Sequence, residues 1–181
     1  MAAKTHRTAV VVIPPRTCWE PIQSIRRQYD RQVRRWMPHV TLVYPFRPRQ
    51  QFATIARPLR AACARIEPFE VRLARFRHFE HGRHGFTLWL EPEPPERLIQ
   101  LQELIVSTVP DCDDSLRHPL GFTPHLSVGQ VHGRDALRRL ESELRARWRA
   151  LTFTLTGVGL IWRGSPPDDV FRVDRTISLG G

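Results

Sequence analysis

Cysteine and long apolar runs are scarce in this sequence of 181 residues. Its cysteines (Cys18, Cys63 and Cys112) are odd in number and far apart, which argues against a disulfide framework and predicts a reducing compartment, the cytoplasm. The apolar run TAVVVIPP at 8–15 falls far short of the roughly 20 residues that span a bilayer. It also lacks the small-residue cleavage site of a signal peptide, so we expect a buried strand there and no membrane partner.

Lysine is almost absent, because 27 of the 28 basic residues are arginine and only Lys4 is lysine. The net charge of +10 suits a polyanion such as RNA. Arginine in place of lysine, with much alanine and proline, is also what a GC-rich genome produces without any function. Residues 1–90 carry 17 basic and 5 acidic side chains, whereas residues 91–181 carry 11 and 13. A field on one side of the molecule would draw an anionic ligand to the N-terminal half, and both explanations stay open.

The apolar periodicity predicts helices and strands that do not alternate strictly. Apolar residues recurring every three or four positions indicate helices, and alternating ones indicate strands. The predicted helices are 19–36, 52–66 (beginning near Arg57 or kinked at Pro58), 98–108 and 137–148. The predicted strands are 8–13, 39–44, 69–73 with a bulge before Phe76, 86–90, 151–162 and 170–179. Hairpins mixed with helices indicate an α+β fold with antiparallel sheets.

One short pattern occurs twice, as PHVTLV at 38–43 and PHLSV at 124–128. Side chains two apart on a strand point to the same face, so His39 projects with Thr41, and His125 with Ser127. Proline in front suits a strand start, where no ladder N–H is needed. The copies lie in opposite halves of the chain, so packed halves would bring the four groups together.

This quartet predicts acid–base chemistry at a phosphate without a metal. Two imidazoles with pKa values near 6.5 supply a base and an acid at neutral pH, and two hydroxyls hydrogen-bond the non-bridging phosphate oxygens. A lone histidine at a strand start is usually structural, but a second copy with the same proline and a matching hydroxyl favours function. Duplication without function is the alternative.

The sequence resembles the 2H phosphoesterase superfamily, which contains 2′-5′ RNA ligases and 2′,3′-cyclic phosphodiesterases and is named for two His-x-Thr/Ser motifs. The resemblance rests on RRWMPHVTLVYPF (34–46), GFTPHLSVGQ (121–130), AVVVIPP (9–15) and TISLGG (176–181). It implies one bilobal domain over 1–181, with two pseudo-symmetric lobes and flanking helices around a central cleft.

The resemblance also implies roles. His39 and His125 would be the acid/base pair, and Thr41 and Ser127 would hold the phosphate. The expected reaction opens 2′,3′-cyclic phosphates of RNA ends or small nucleotides to 2′-phosphates, with a reversible 2′-5′ RNA ligase activity as an option. We expect no cofactor and no metal, and a monomer.

The substrate contacts are less defined by the sequence. Some family members place an arginine just beyond the second motif, where this chain has Gly129, Gln130 and Val131. We select Tyr44, Phe46 and Gln130 as candidate substrate contacts, although Tyr44 and Phe46 suit the core equally well.

Two alternatives accompany this interpretation. The stretch HFEHGRH places His78, His81 and His84 three apart, which suggests a metal site, but it falls where a hairpin should turn and lacks a Cys or Asp partner. The second alternative is a non-catalytic module that binds RNA ends. The two imidazoles favour the enzyme, because binding alone does not require both.

Overall fold

A computed structural model describes residues 3–114 and 121–180. Eight strands and four α-helices occur in these residues, and single 3₁₀ turns at Arg16–Cys18 and Arg49–Gln51 lead into two of the helices. The strands are β1 (Thr8–Val12), β2 (Val40–Val43), β3 (Phe69–His81), β4 (Gly85–Glu93), β5 (Leu126–His132), β6 (Leu151–Leu155), β7 (Gly157–Trp162) and β8 (Arg172–Ser178). The helices are α1 (Trp19–Tyr29), α2 (Phe52–Cys63), α3 (Pro95–Thr108) and α4 (Arg134–Arg147).

The strands form two four-stranded antiparallel sheets, with orders β2-β1-β7-β8 and β5-β4-β3-β6. The predicted α+β class with antiparallel sheets is therefore confirmed. The motif strands β2 and β5 hold the same edge position in their sheets, and these two edges contact each other. The predicted bulge is also present, as a register shift between Leu73 and Arg75 in the β3–β4 pairing.

The single strand predicted at 151–162 is wrong. Residues Leu151–Leu155 pair with β3 in one sheet, and residues Gly157–Trp162 pair with β1 in the other. Thr156 lies where the chain passes between the sheets. The sequence gives no sign of this crossing, because the residues before and after Thr156 both include apolar side chains that are buried in a core.

Two predicted helix boundaries differ from the structure. The stripe over 19–36 ends as a helix at Tyr29, because the Asp30 carboxylate accepts a hydrogen bond from the Gln32 backbone N–H (2.9 Å) and turns the chain. The second helix begins at Phe52 rather than near Arg57, and Pro58 lies inside it on an exposed face.

The helices link the two sheets. Helix α1 follows β1 of the first sheet but packs on β5 of the second, whereas α3 follows β4 of the second sheet and packs on β2 of the first. The approach of α1 is close, because a Cβ added to Gly129 of β5 would lie 2.5 Å from the Tyr29 Cβ. Each motif strand is thus supported by a helix from the other half of the chain.

One buried cluster joins the inner faces of both sheets and includes Val40 and Leu42 from β2 and Leu126 and Val128 from β5. A smaller cluster covers the opposite face of the first sheet, formed by Ala9, Val11, Ile161 and Phe171. In the described residues, no helix combines the length and the apolar character needed to cross a membrane.

Candidate active site

The histidine of each motif immediately precedes an edge strand. His39 stands before β2 and His125 before β5, and the prolines in front of them are buried. Along β2 the buried Val40 and Leu42 alternate with the half-buried His39 and Thr41, so the latter pair faces away from the main core. The second motif repeats this alternation, with His125 and Ser127 half-buried between core residues.

The two imidazoles are held by identical hydrogen bonds. Nδ1 of His39 lies 2.7 Å from the carbonyl oxygen of Met37, and Nδ1 of His125 lies 2.7 Å from that of Thr123. A carbonyl only accepts, so Nδ1 carries a proton in both rings and Nε2 of the neutral ring keeps a lone pair. Within residues 3–114 and 121–180, neither Nε2 has a hydrogen-bond partner, and the same is true of the Thr41 and Ser127 hydroxyls.

The surroundings of both rings favour the neutral form. Burial lowers the pKa of His39 from 6.5 to about 4, with smaller contributions in the same direction from Arg26 and His125, while the Met37 carbonyl and Asp30 oppose the shift. Burial also lowers the pKa of His125, against the effect of its bond to Thr123. The strands that follow the two histidines, β2 and β5, contact each other, so the two motifs lie on adjacent sheet edges.

His39 stacks on an aromatic wall that the sequence pattern did not reveal. Its ring lies 4.6 Å from the Trp36 indole at an interplanar angle of 15°. Phe171 lies 3.7 Å from the same indole at 29°. Two rings this close to one centroid would overlap on a single face, so they cover opposite faces of Trp36. The Phe171 N–H donates to the Arg35 carbonyl (2.8 Å), which holds this segment against the turn before the first motif.

His125 lies against a second aromatic wall. Phe79 of β3 meets it edge to face at 4.9 Å and stacks on Trp89 of β4, whose ring lies 5.9 Å from the imidazole. Trp89 pairs directly with Ser127 across the sheet. Each histidine therefore has an aromatic neighbour from its own sheet or from the turn in front of it, which restricts rotation of the ring.

Both polar atoms of the Gln130 side chain make hydrogen bonds within the protein. Its Oε1 accepts from the Arg31 backbone N–H (3.0 Å), and its Nε2 donates to Asp30 Oδ1 (3.3 Å). Asp30 is also paired with the buried Arg26, at 2.7 Å between Oδ2 and Nε. The amide that we selected as a substrate contact joins β5 to the end of α1. It also contacts the Arg26–Asp30 ion pair, in which Arg26 lowers and Asp30 raises the pKa of His39.

The other two candidate contacts have different positions. Phe46 is fully buried in the main core beside Phe52, so no ligand can reach it and this assignment is wrong. Tyr44 is half-buried against the smaller cluster, edge to face with Trp36 at 5.6 Å, and its hydroxyl donates to the His6 carbonyl (3.1 Å). Tyr44 therefore lies beside Trp36, the ring that stacks on His39, and its contact with a ligand stays a prediction.

The histidine-rich stretch has ordinary partners. His78 and His81 belong to β3, and only His84 lies in the turn. His78 Nδ1 lies 2.8 Å from Glu141 Oε1, and His81 Nε2 lies 3.0 Å from the Thr87 hydroxyl. In the part of the chain that the structure describes, no three histidine, cysteine or acidic side chains are arranged to hold a metal.

Comparison with known families agrees with this geometry. The model of the 2′-5′ RNA ligase superfamily matches residues 14–167. The chain belongs to this superfamily. Curated relatives include proteins named "Putative phosphoesterase" in Geobacillus kaustophilus (27% identical over 122 residues, 67% of each chain) and Oceanobacillus iheyensis (26% over 139 residues, 74% of this chain and 78% of the relative).

Solved structures share the fold over nearly the whole length of this chain. The protein TT0787 of Thermus thermophilus superposes with a TM-score of 0.61 at 19% identity, covering 97% of this chain and 98% of that one. LigT of Escherichia coli, solved with 3′-AMP, superposes with a TM-score of 0.58 at 18% identity over 99% and 100% of the chains. At these identities the likeness establishes the fold.

Proposed function

We propose that this superfamily member is a metal-independent phosphodiesterase, working as one bilobal domain over residues 1–181, that opens 2′,3′-cyclic phosphates on RNA ends or small nucleotides to 2′-phosphates. One observation carries the proposal: His39 and His125 are held by the same Nδ1 bond at the same place in two sheets, and their Nε2 atoms are left unpaired by residues 3–114 and 121–180. Membership of the 2′-5′ RNA ligase superfamily and relatives named as phosphoesterases support it.

The mechanism uses proton transfer and hydrogen bonds. One Nε2 takes a proton from water as its oxygen attacks phosphorus, and the other Nε2–H gives a proton to the leaving 3′ oxygen. The Thr41 and Ser127 hydroxyls donate to the non-bridging oxygens, on which charge accumulates. Each proton transfer contributes roughly 10²–10⁴ in rate. With a 5′ hydroxyl in place of water as the attacking group, the same steps would join RNA through a 2′-5′ bond and release the 3′ oxygen as a hydroxyl, and the reverse reaction would cleave that bond and re-form the cyclic phosphate.

The lowered pKa values bear on when the acid is charged. With the pKa of His39 at about 4 and that of His125 also lowered, both rings are neutral at pH 7 in the free protein. A bound phosphodiester anion raises the pKa of a neighbouring imidazole, because an opposite charge favours the protonated form. The negative charge of the bound substrate therefore favours protonation of one of the two imidazoles, which then acts as the acid. A plot of kcat/KM against pH should be bell-shaped, and its two limbs report pKa values of the coupled pair of histidines.

Single and double substitutions test the proposal. His39→Ala and His125→Ala should each remove most turnover of 2′,3′-cyclic nucleotides, and the double variant should lose little more, because the pair acts as a unit. Thr41→Ala and Ser127→Ala should each cost about 1.5–3 kcal/mol in transition-state stabilisation, the value of a hydrogen bond to a charged group. The assay is kcat/KM on a panel of cyclic phosphates with product positions identified, with folding checked by circular dichroism.

Matched controls separate the alternatives. His84→Ala, in the β3–β4 turn, should keep wild-type turnover, and so should wild type in EDTA. Activity that EDTA abolishes and zinc restores would overturn the two-histidine mechanism. If wild type binds RNA ends but turns over no cyclic phosphate or 2′-5′ linkage in the panel, the protein is the non-catalytic binding module.

A further inference from the structure

A groove lies beside Trp36 and Phe171, the stacked rings next to His39. It runs between the chain entering α1, the turn before the first motif and the start of β8. It encloses about 600 Å³, within the range of about 300–1,000 Å³ that holds a drug-sized ligand. Among the residues that the structure describes, three aromatic and three basic side chains line it, and none of the lining residues is acidic. These six are Trp19, Trp36, Phe171, Arg16, Arg34 and Arg172.

The cations of the groove differ in their pairing. Arg34 and Arg172 are bridged to Asp169 and Asp168, carboxylates that are outside the lining. Arg16 has no carboxylate partner among the described residues, and its guanidinium lies 3.7 Å from the centre of the Trp19 ring. An unpaired cation on an indole offers charge for a phosphate beside an aromatic surface for a base.

The groove also exposes apolar surface. Val173 is 47% exposed, and it is the one large apolar side chain that is exposed within residues 3–114 and 121–180. It lines the groove together with the aromatic rings. Apolar surface together with positive charge is what a flexible single-stranded nucleic acid requires, because its bases are unstacked and its backbone is anionic.

The groove lies next to the first motif and shares residues with the surroundings of His39. Trp36 carries His39 on one face and Phe171 on the other, and both Trp36 and Phe171 line the groove. Met37, whose carbonyl holds His39, lines it as well. The Trp36 ring, which lies 4.6 Å from the imidazole between ring centres, therefore separates His39 from the groove, and a chain bound in the groove would lie beside the first motif.

We infer that this groove binds the single-stranded RNA chain that leads to the reacting phosphate, so that cyclic-phosphate ends of oligonucleotides are better substrates than cyclic mononucleotides. The inference rests on the proposed function and names its substrate class. Arg16 contacts a backbone phosphate, and Trp19 and Val173 contact bases. The basic N-terminal half then has a site at which its charge acts.

The test compares two substrates with the same terminal base, a 2′,3′-cyclic mononucleotide and a tetranucleotide ending in that group. Wild type should give the higher kcat/KM with the tetranucleotide. Arg16→Ala and Val173→Glu should lower the ratio of the two values, whereas Arg139→Ala, an equal charge change on the exposed face of α4, should leave it unchanged. Equal kcat/KM for both substrates in wild type, or equal losses in Arg16→Ala and Arg139→Ala, would overturn the inference.

A binding measurement keeps this outcome separate from the proposed function. Fluorescence anisotropy of a labelled single-stranded RNA with a terminal 3′-phosphate is followed over a series of NaCl concentrations. Loss of one phosphate contact should reduce the slope of log affinity against log salt by about 0.7 in Arg16→Ala and not in Arg139→Ala. If that change appears without turnover of any cyclic phosphate, the groove stands and the proposed phosphodiesterase fails. An unchanged slope would overturn the groove instead.

Discussion

Trp36 separates His39 from Phe171 and has both faces of its indole covered. A ring in this position cannot stack on a nucleobase without displacing a neighbour, so its role is to position the imidazole. It does so in two ways, by restricting the ring plane of His39 and by excluding water from one of its faces. The exclusion of water contributes to the burial that lowers the pKa of His39.

Substitution of Trp36 tests that role. In Trp36→Leu, water should reach the uncovered imidazole face, so the pKa of His39 should rise from about 4 towards 6.5, and kcat/KM should fall. Trp36→Phe keeps an aromatic face and should remain close to wild type in both respects. NMR titration of the histidine Cε1–H signals measures the pKa values. A wild-type His39 titration in Trp36→Leu would show that the indole only fills space.

The two histidine–hydroxyl pairs could be located from the sequence, whereas their aromatic neighbours could not. Two copies of Pro-His-x-Thr/Ser are visible because their spacing equals the period of a strand. Trp36 falls on the same apolar stripe as the helix before it, so its pattern predicts core. Phe79 and Trp89 reach His125 only through pairing of β3, β4 and β5, and no local spacing encodes that pairing.

At the scale of elements, the packing of α1 against β5 depends on a missing side chain. The backbone of Gly129 faces Tyr29 so closely that a Cβ would lie 2.5 Å from the Tyr29 Cβ and 3.2 Å from its carbonyl carbon. Neither of those atoms can rotate away. Gly129 lies two residues after Ser127, so the same contact fixes where that hydroxyl stands.

Gly129→Ala should therefore lower the free energy of unfolding by about 1–3 kcal/mol, as overpacking does, and reduce turnover as β5 shifts. Gly159→Ala on β7 is the matched control, because the nearest atom to its added Cβ would be the flexible end of Ile13 at 3.3 Å. Urea unfolding followed by circular dichroism gives both values. Equal losses in the two variants would contradict the packing argument.

The elements were predictable where one face alone is buried. The stripes of α3 and α4 have that property, and their positions agree with the sequence pattern. The strand predicted at 69–73 begins where expected but continues to His81, so His78 and His81 lie in β3 and not in the turn. The pattern fails where the chain turns without losing apolar residues, at Asp30 after α1 and at Thr156 between β6 and β7. In both places the cause is a contact with a distant segment or a hydrogen bond, which composition does not record.

For the whole molecule, the two motif histidines make folding sensitive to pH. Their pKa values are lowered in the folded state, so the unfolded chain binds protons that the folded chain does not as pH falls below 6.5. Their contribution to stability is complete above that pH and declines as pH falls, in the case of His39 towards about pH 4. Asp168, Asp169 and Asp174 have pKa values lowered by arginine partners, so their contributions are lost only below about pH 4.

Urea unfolding of wild type should accordingly show a falling free energy of unfolding between pH 7 and about pH 4.5. In His39→Gln/His125→Gln, two groups that take up protons only on unfolding are gone, so the decline should be shallower. The variant tests the sign of both shifts at once. A decline as steep as that of wild type would mean that neither imidazole is kept neutral by the fold.

Each half of the chain provides a helix that packs on the motif strand of the other half, and this arrangement has a consequence for the origin of the repeat. Helix α1 follows the first sheet and supports the second motif strand, while α3 follows the second sheet and supports the first. If the repeat descends from duplication of a shorter gene, the ancestral product carried one histidine motif and a helix with no place to pack in its own chain. Such a polypeptide would have buried that helix only against a second copy, and fusion of the two genes would have placed both copies in one chain.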